Sequence, residues 1–525
     1  MSEEQELPEG WASVPFDEVL VELRNGISTR PELEPPGTPI LRINAVRPGR
    51  VVLDDLRYLP DGQALAASFS VRDGDLLFTR YNGSLDLLGV CGMVRGLGKS
   101  TLLYPDKLMR ARLREDVVLP SFVELYFQSP EARERLIGEA KSSAGQQGIS
   151  GGDLKRQPVS IAPLPEQHRI VEKVEALLAQ VNKAKDRLDR VKVILKRFRQ
   201  AVLAAACSGR LTEEWRARNP EVEPADGVVE RLKALHGPFG TDKRGNAAPP
   251  DDEAHDLDAS DLPPTWTCTE LLWLCEPGRP ITYGILKPGP NQDGGVPYIR
   301  VADFPAGVIK VQGVHRTTKE IAEAYKRSTL RTGDVLLSIR GTYGRICVVP
   351  SELDKANITQ DTARLTIHES VNAAYVVMYL RSQPVQNRMK RAAKGVAVHG
   401  VNIGDVRALQ VALPPLQEQA EIVRRVDALL GVADTIETRL TAASTRAEKL
   451  PQSILSKAFK GELVPTEADI ARAEGRAFES AEELLRRAEG SCHSVTASTS
   501  KQRGRQSVEP SRAALKRAPG PPSAG

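Results

Sequence analysis

The sequence is poor in the residues that build cross-linked or metal-bound frameworks. Its six cysteines are scattered over 525 residues without a CxxC pair, so neither a disulfide framework nor a zinc site is indicated. Cys492-His493 lies in a polar tail, where a solvated pair is favoured over a ligand pair. No apolar run approaches the roughly 18 residues that a membrane-spanning helix needs. A soluble, cytoplasmic protein without a membrane partner is therefore expected.

Catalytic motifs are also missing. Gly96-Leu97-Gly98-Lys99-Ser100 resembles the end of a phosphate-binding loop, but the first glycine of that motif would fall on Met93. Gly341 to Gly344 lacks the GxGxxG pattern, and no HExxH pair or Asn-Pro-Pro-aromatic tetrapeptide occurs. The seven histidines are scattered and offer no obvious general base. These absences predict a non-catalytic chain with no catalytic residue and no metal site.

The chain does contain two copies of one helix sequence. PLPEQHRIVEKVEALL begins at Pro163, and PLQEQAEIVRRVDALL begins 252 residues later at Pro415. Apolar residues then step by four and three in both copies, which is the spacing of a coiled-coil seam. Each helix is expected to run for about 40 residues, and the two to pack antiparallel. The predicted helix-helix spacer residues are Ile170, Val174, Leu177, Val181, Leu188, Leu195, Ile422, Val426, Leu429, Ile436, Leu440 and Leu450.

The segments before the helices are duplicated too. Two pairs of segments are similar. Leu262-Pro263-Pro264-Thr265-Trp266 resembles Leu7-Pro8-Glu9-Gly10-Trp11, and Gly333-Asp334-Val335-Leu336-Leu337 resembles Gly74-Asp75-Leu76-Leu77-Phe78. Short apolar runs bounded by Gly, Pro and Asp are typical of strands. The predicted fold class is therefore α+β, with two strand-rich domains joined by two long antiparallel coiled-coil-like helices and an internal pseudo-twofold repeat.

These patterns give seven segments. Two are strand-rich domains, two are spacer helices, and the rest are connecting or terminal pieces. Residues 213–261 are expected to form an exposed connector with a short helix near Val228 to His236, and Pro451 to kink the second helix or break it. The segments are 1–162 (first domain), 163–212 (first helix), 213–261 (linker), 262–413 (second domain), 414–464 (second helix), 465–489 (C-terminal helix, plausible across 466–488) and 490–525 (disordered basic tail).

Charge and loop composition favour binding over chemistry. The second domain and the first helix are net basic, which suggests a polyanion, whereas the first domain is net acidic and would need a local patch such as Arg110, Arg112 and Arg114. Arg grips guanine edges or phosphates, and Asn reads adenine. The alternative that these are only turn residues stays open. The candidate DNA-binding residues are Arg80, Tyr81, Asn82, Ser143, Gln146, Gln147, Arg340, Thr342, Tyr343, Arg391, Lys394 and His399.

With these features in view, residues 7–464 resemble the specificity subunit of type I restriction–modification systems. The similar phrases are Gly74 to Gly83, Ile281-Thr282-Tyr283-Gly284-Ile285, Gly333 to Gly344, Asn357 to Arg364 and the two PL-x-EQ helix starts. The resemblance implies two target-recognition domains that each read half of a split site in double-stranded DNA. It also implies that two modification subunits pack on the helices and that restriction subunits join through them.

The same resemblance implies that this chain holds no cofactor. S-adenosylmethionine, ATP and Mg²⁺ would belong to the partner subunits. A rival hypothesis is a coiled-coil adaptor that binds two proteins and no DNA. Footprinting separates the two, since two protected patches around an unread gap are expected only from a DNA reader.

Overall fold

A computed structural model describes residues 6–143, 146–236, 262–305, 307–393 and 400–489. The chain divides into two compact units. Unit 1 contains residues 1–187 and 444–525, and unit 2 contains residues 188–443. Each unit therefore holds one strand-rich domain and one end of each long helix.

The first domain is built on a four-stranded antiparallel sheet, with strands in the order Leu20–Asn25, Leu108–Leu113, Leu76–Thr79 and Cys91–Met93. All four side chains of Leu76–Thr79 are buried, because helices cover one face and loops the other. The remaining strand pairs are Ala12–Pro15 with Pro158–Ile161, Thr38–Leu41 with Leu56–Leu59, and Val46–Arg47 with Arg50–Val51; the helices are Ala66–Phe69, Pro120–Gln128, Pro130–Gly138 and Gly151–Lys155.

The second domain repeats this plan. Its four-stranded antiparallel sheet has the order Thr282–Tyr283, Thr362–Leu365, Val335–Ser338 and Ile346–Val348, and Val335–Ser338 is again fully buried. The other strands are Thr267–Glu270 with Gln410–Leu413, and Arg316–Thr317, Val296–Ile299 and Asn357–Ile358 in a three-stranded sheet; the helices are Lys319–Ala324, Ala373–Leu380, Gln383–Ala392 and Ile403–Arg407. The predicted α+β class with an internal repeat is confirmed.

A buried tryptophan fixes each domain to a helix start. Trp11 Nε1 donates to Glu166 Oε1 at 2.9 Å, and Trp266 Nε1 donates to Glu418 Oε2 at 2.9 Å. Both carboxylates are 0% exposed, so the hydrogen bond offsets the cost of removing a charge from water. The next residue of each motif adds a second link, since Gln167 Oε1 accepts from the Leu119 amide at 2.9 Å. The duplicated Glu-Gln motif is thus the joint between domain and helix.

The long helices span Leu164–Cys207 and Leu416–Phe459, 44 residues each. Within unit 2 they run antiparallel: Arg199 of the first helix contacts Asp434 at 2.7 Å and Glu437 at 2.6 Å in the middle of the second. Leu211, just beyond the end of the first helix, accepts through its carbonyl from Arg425 Nη1 at 2.7 Å near the start of the second. Of the predicted spacer residues, seven are buried and three are half-buried. Buried are Ile170, Val174, Val181, Leu195, Ile422, Val426 and Leu440, and half-buried are Leu177, Leu188 and Leu429.

Two spacer predictions are wrong. Ile436 is 41% exposed and Leu450 45% exposed, so the buried seam does not pass through them. The predicted break at Pro451 is also wrong, because the helix continues through it to Phe459. Proline lacks one amide donor, and the helical hydrogen bonds on either side are retained.

The connector prediction needs correction. The short helix predicted near Val228 to His236 is present as Ala225–His236. Residues 213–236 are not an exposed connector, however, because Glu213–Arg218 is also helical and Val229 and Leu232 are buried in the second domain's core. The predicted single C-terminal helix is two helices, Glu467–Glu474 and 481–489, separated by a left-handed Gly475. Residues 237–261 and the tail 490–525 lie outside the described residues.

These added helices extend the repeat. The Ala225 amide donates to the carbonyl of Thr265 at 3.0 Å, and the Ala481 amide donates to the carbonyl of Gly10 at 2.8 Å. Both acceptors stand immediately before the buried tryptophan. Each unit therefore closes a helix pair over its own tryptophan joint, a similarity that sequence comparison had missed.

Because each tryptophan joint lies within one unit, replacing its tryptophan should destabilise that unit alone. Trp11→Phe removes a buried donor to a carboxylate, which is worth about 1.5–3 kcal/mol, so amides of 163–171 and 467–474 should exchange with deuterium about tenfold or more faster. Trp266→Phe should act in the same way on 415–423 and 211–218 and leave unit 1 unchanged. Hydrogen exchange with mass spectrometry measures both sets. Equal acceleration throughout the chain in either variant would contradict the local role of the bond.

Candidate nucleic-acid interface

A small three-stranded sheet gathers most of the candidate residues of the first domain. Strand Tyr81–Asn82 pairs with Gln146–Gly148, with Asn82 opposite Gln147 and Tyr81 opposite Gly148. Lys141–Ser143 forms the third strand. For Ser143 and Gln146 the structure describes the backbone pairing alone. The sheet brings together two loops that lie more than 60 residues apart in sequence.

Tyr81 lies flat over the glycine opposite it. A Cβ atom on Gly148 would stand 2.6 Å from Tyr81 Cδ1, so only glycine leaves room for the ring. The Arg80 guanidinium sits 4.7 Å from the ring centroid on a cation–π contact. Asn82 Oδ1 accepts from the Ser84 amide at 3.1 Å, so part of this side chain stabilises the turn.

Asp153 anchors this sheet to the domain. Its carboxylate accepts from Lys141 Nζ at 3.2 Å and from the Ser150 hydroxyl at 2.6 Å, and it caps the helix Gly151–Lys155. The Ser150 hydrogen bond is the main cause that lowers the pKa of Asp153 to about 2. The carboxylate is therefore ionised at neutral pH and holds the third strand by its first residue.

The second domain has the same arrangement with a different side chain. Arg340 forms an isolated antiparallel bridge with Gly400, and a Cβ on that glycine would stand 3.0 Å from Arg340 Cγ. Gly148 and Gly400 are 252 residues apart, the offset of the two helix starts. Arg340 is thus the counterpart of Tyr81, in agreement with the 259-residue offset between Gly74-Asp75 and Gly333-Asp334.

Two neighbours of Arg340 had not been singled out from sequence. Gln360 Oε1 accepts from Arg340 Nη1 at 3.2 Å, and Asp361 lines the same surface depression as Arg340 and Thr342. They could have been predicted from their place in the loop Thr359-Gln360-Asp361, because this polar loop follows a buried strand. Thr342 is exposed, while Tyr343 is half-buried against the domain core and so contributes packing.

The basic helix Gln383–Ala392 is only partly available. Arg391 is exposed in its last turn, but Arg388 in the same helix donates to the carbonyl of Gln410 at 3.5 Å and thereby supports the domain. Lys394 and His399 lie outside the described residues.

The predicted basic patch of the first domain is wrong. Arg110 is 2% exposed and donates to the Ser70 carbonyl at 2.6 Å and to Glu22. Arg112 makes two 2.8 Å hydrogen bonds to Asp75, which raise its pKa further. Arg110 is itself buried and paired with the half-buried Glu22, and Arg112 neutralises the buried Asp75, so they do not form a surface patch with Arg114.

The described ranges contain no metal site, disulfide or membrane-spanning helix. No three His, Cys, Asp or Glu side chains are grouped there in a way that could hold a metal ion. The cysteines described are free thiols, and burial raises the pKa of Cys207 and Cys275 to about 12. No helix in this part of the chain is long and apolar enough to cross a membrane.

Comparison with known proteins shows which proteins this chain resembles. Residues 285–443 match the model of the type I restriction modification DNA specificity domain. The chain is 42% identical over 232 residues to the EcoKI specificity subunit of Escherichia coli K12, covering 43% of this chain and 50% of that protein. It is 34% identical over 328 residues to the EcoBI specificity subunit of Escherichia coli, covering 62% of this chain and 63% of that protein. The matched regions thus span half to under two thirds of these relatives.

Longer but weaker similarity covers the rest. The StySPI specificity subunit of Salmonella potsdam is 28% identical over 471 residues, which is 87% of this chain and 90% of that protein. The crystal structure of the HsdS subunit from Thermoanaerobacter tengcongensis superposes with a TM-score of 0.54 at 22% identity, covering 88% of this chain and 100% of that one. With its duplicated sheets, duplicated tryptophan joints and paired long helices, the chain is similar over most of its length to type I restriction enzyme specificity subunits, and residues 285–443 match their DNA specificity domain.

Proposed function

We propose that this chain is the non-catalytic DNA-recognition subunit of a type I restriction–modification complex and reads a bipartite target with its two domains. One observation carries the proposal: the repeat places different side chains, Tyr81 and Arg340, at the same position over a glycine. A scaffold that is kept while its exposed loops diverge is suited to reading two different base sequences.

The proposed reading surfaces are the loops already described. In the first domain they comprise Arg80, Tyr81, Asn82, Ser143, Gln146 and Gln147, and in the second Arg340, Thr342, Tyr343, Arg391, Lys394 and His399. Arg80, Tyr81 and Arg340 are supported by their accessibility and contacts. Tyr343 is the weakest member, since it packs on the core.

The partners are two modification subunits and, through them, restriction subunits. S-adenosylmethionine, ATP and Mg²⁺ would be bound by those partners. A surface in unit 2 suits such docking: it consists of the exposed apolar side chains Val193 (52%), Ile194 (62%), Phe198 (37%), Val432 (56%) and Ile436 (41%) on the two long helices. Exposed apolar side chains at a protein–protein interface are buried when the partner binds, and we propose that these five are covered in that way. A DNA-free adaptor is less favoured, because it leaves the divergent loops without a role.

Recognition by separate domains predicts separable defects. In a complex reconstituted with modification subunits, Gln147→Ala should relax base preference in one half-site by about 1–3 kcal/mol per lost contact. Thr342→Ala should relax the other half-site and leave the first alone. Methylation mapping on a random-sequence library measures both, each variant being the control for the other. If both variants lowered methylation uniformly at all sequences, the two-reader proposal would fail.

The docking surface predicts an assembly defect. Val193→Gln together with Ile194→Gln keeps helix propensity but removes two apolar side chains whose burial is worth about 1.5–3 kcal/mol each. Binding of a modification subunit should weaken at least tenfold, as measured by sedimentation or native mass spectrometry. Leu235→Gln, at a 60% exposed helical position of the same unit, is the matched control and should bind normally. Unchanged binding by the double variant would exclude this surface.

The spacer helices predict a change in the gap. Seven residues inserted after Arg187 and seven after Ala443 fall at the borders of the two units and add about 10 Å, or about 3 base pairs. The unread gap should widen by that amount while both half-site sequences are kept. Seven residues added within the linker 237–261 should leave the gap unchanged. A constant gap in the first variant, read from methylation mapping, would exclude the helices as the spacing element.

A further inference from the structure

The backbone around Arg340 is fixed from two sides. The Ile339 amide donates to the carbonyl of Asp361 at 2.8 Å, and the Val401 amide donates to the carbonyl of Ile339 at 2.8 Å. Gly341 then turns the chain away with φ +68°, a conformation that glycine adopts at low cost. The Arg340 side chain therefore leaves the domain in a defined direction although it is exposed.

Gln360 holds the far end of that side chain. Its own amide donates to the Ile285 carbonyl at 2.9 Å, and the Ile285 amide donates to the Ile358 carbonyl at 2.7 Å, so the loop is tied to buried residues. Its Oε1 accepts from Arg340 Nη1 at 3.2 Å. The contact uses one edge of the guanidinium and leaves its charge unneutralised. Within the described residues Arg340 has no carboxylate partner, in contrast to Arg112 and Asp75.

A carboxylate shares the depression that Arg340 borders. Asp361 lines it together with Arg340, Thr342 and Arg345, and Arg345 Nη1 already donates to the carbonyl of Val301 at 3.3 Å. An acidic group disfavours a phosphate at this place, whereas it can accept from the amine of cytosine. A forked guanidinium beside it matches the two acceptors of guanine, O6 and N7. The donors and acceptors of this depression therefore fit the major-groove edge of one base pair better than the DNA backbone.

We propose that Arg340 reads the guanine of a G·C pair in one half-site and that Gln360 is its positioning residue. The inference rests on the proposed function and names the base pair that this site prefers. Gln360 restricts the rotamers of Arg340 before DNA arrives, so less side-chain entropy is lost on binding.

The test uses the full chain assembled with modification subunits. Initial methylation rates are measured on duplexes in which each base pair of both half-sites is changed singly. For Arg340→Ala, discrimination should fall about tenfold to a hundredfold at one G·C position and stay unchanged elsewhere. Gln360→Leu, which fills similar space without an acceptor, should lose discrimination at that same position. Gln360→Glu, unlike Gln360→Leu, keeps an oxygen that can accept from Arg340, and this variant should therefore retain discrimination at that position.

The outcomes separate this inference from the proposed function. A wild-type complex that shows no split-site preference would overturn both. A wild-type complex with a split site but with Arg340→Ala affecting no single position, or affecting an A·T position, overturns only the assignment of Arg340. A uniform rate loss in Gln360→Leu, or no rescue by Gln360→Glu, shows a merely structural Gln360 and overturns its positioning role.

Discussion

The buried hydrogen bond between a tryptophan and a glutamate at the start of each long helix is the constraint on which the rest of the structure depends. A carboxylate without exposure is tolerated only when all its donors are present. Glu166 has Trp11 and the amide of Glu467 at 2.8 Å, and burial raises its pKa in spite of them. Glu418 has Trp266 and, at 2.6 Å, the Thr212 hydroxyl. Domain, helix start and closing helix pair must therefore assemble together in each unit.

The two domains keep the positions of their buried charges but not the partners. Arg110 and Arg364 occupy matching places on the central sheet, opposite Leu77 and Leu336. Arg110 meets Glu22, whereas Arg364 donates to the carbonyls of Arg327 at 2.7 Å and Pro280 at 3.0 Å. Burial lowers the pKa of Arg364 to about 10, which still leaves it charged at neutral pH. Backbone carbonyls thus replace a carboxylate while the sheet is retained.

Sequence patterns predicted the elements that repeat in residue type and missed those that repeat only in geometry. Three features repeat in residue type: the Glu-Gln helix starts, the apolar seam of the helices and the strands that follow Gly-Asp. The fold class could be predicted from them. Residues 212–218 and 466–472 share four of seven residue types (Thr, Glu, Ala and Arg), but the residues after them share few, and the equivalence of the following helices rests on backbone bonds from Ala225 and Ala481. The Arg110 patch failed because a buried ion pair leaves no mark in composition. The match of Tyr81 with Arg340 follows from the offset of the Gly-Asp strands, but the glycine that faces each of these residues is set by strand pairing, which loop sequences do not contain.

That match also explains how recognition can change without loss of stability. Gly148 and Gly400 offer a bare backbone beneath the facing side chain, and a Cβ there would lie 2.6 Å from Tyr81 or 3.0 Å from Arg340. Because the glycine has no side chain to repack, an aromatic ring or an aliphatic stem can occupy the same place on an unchanged strand pair. The facing residue is only half-buried or exposed, so its replacement costs little burial energy. The scaffold carries the folding energy, and a single position over glycine is free to vary the side chain that we propose to read a base.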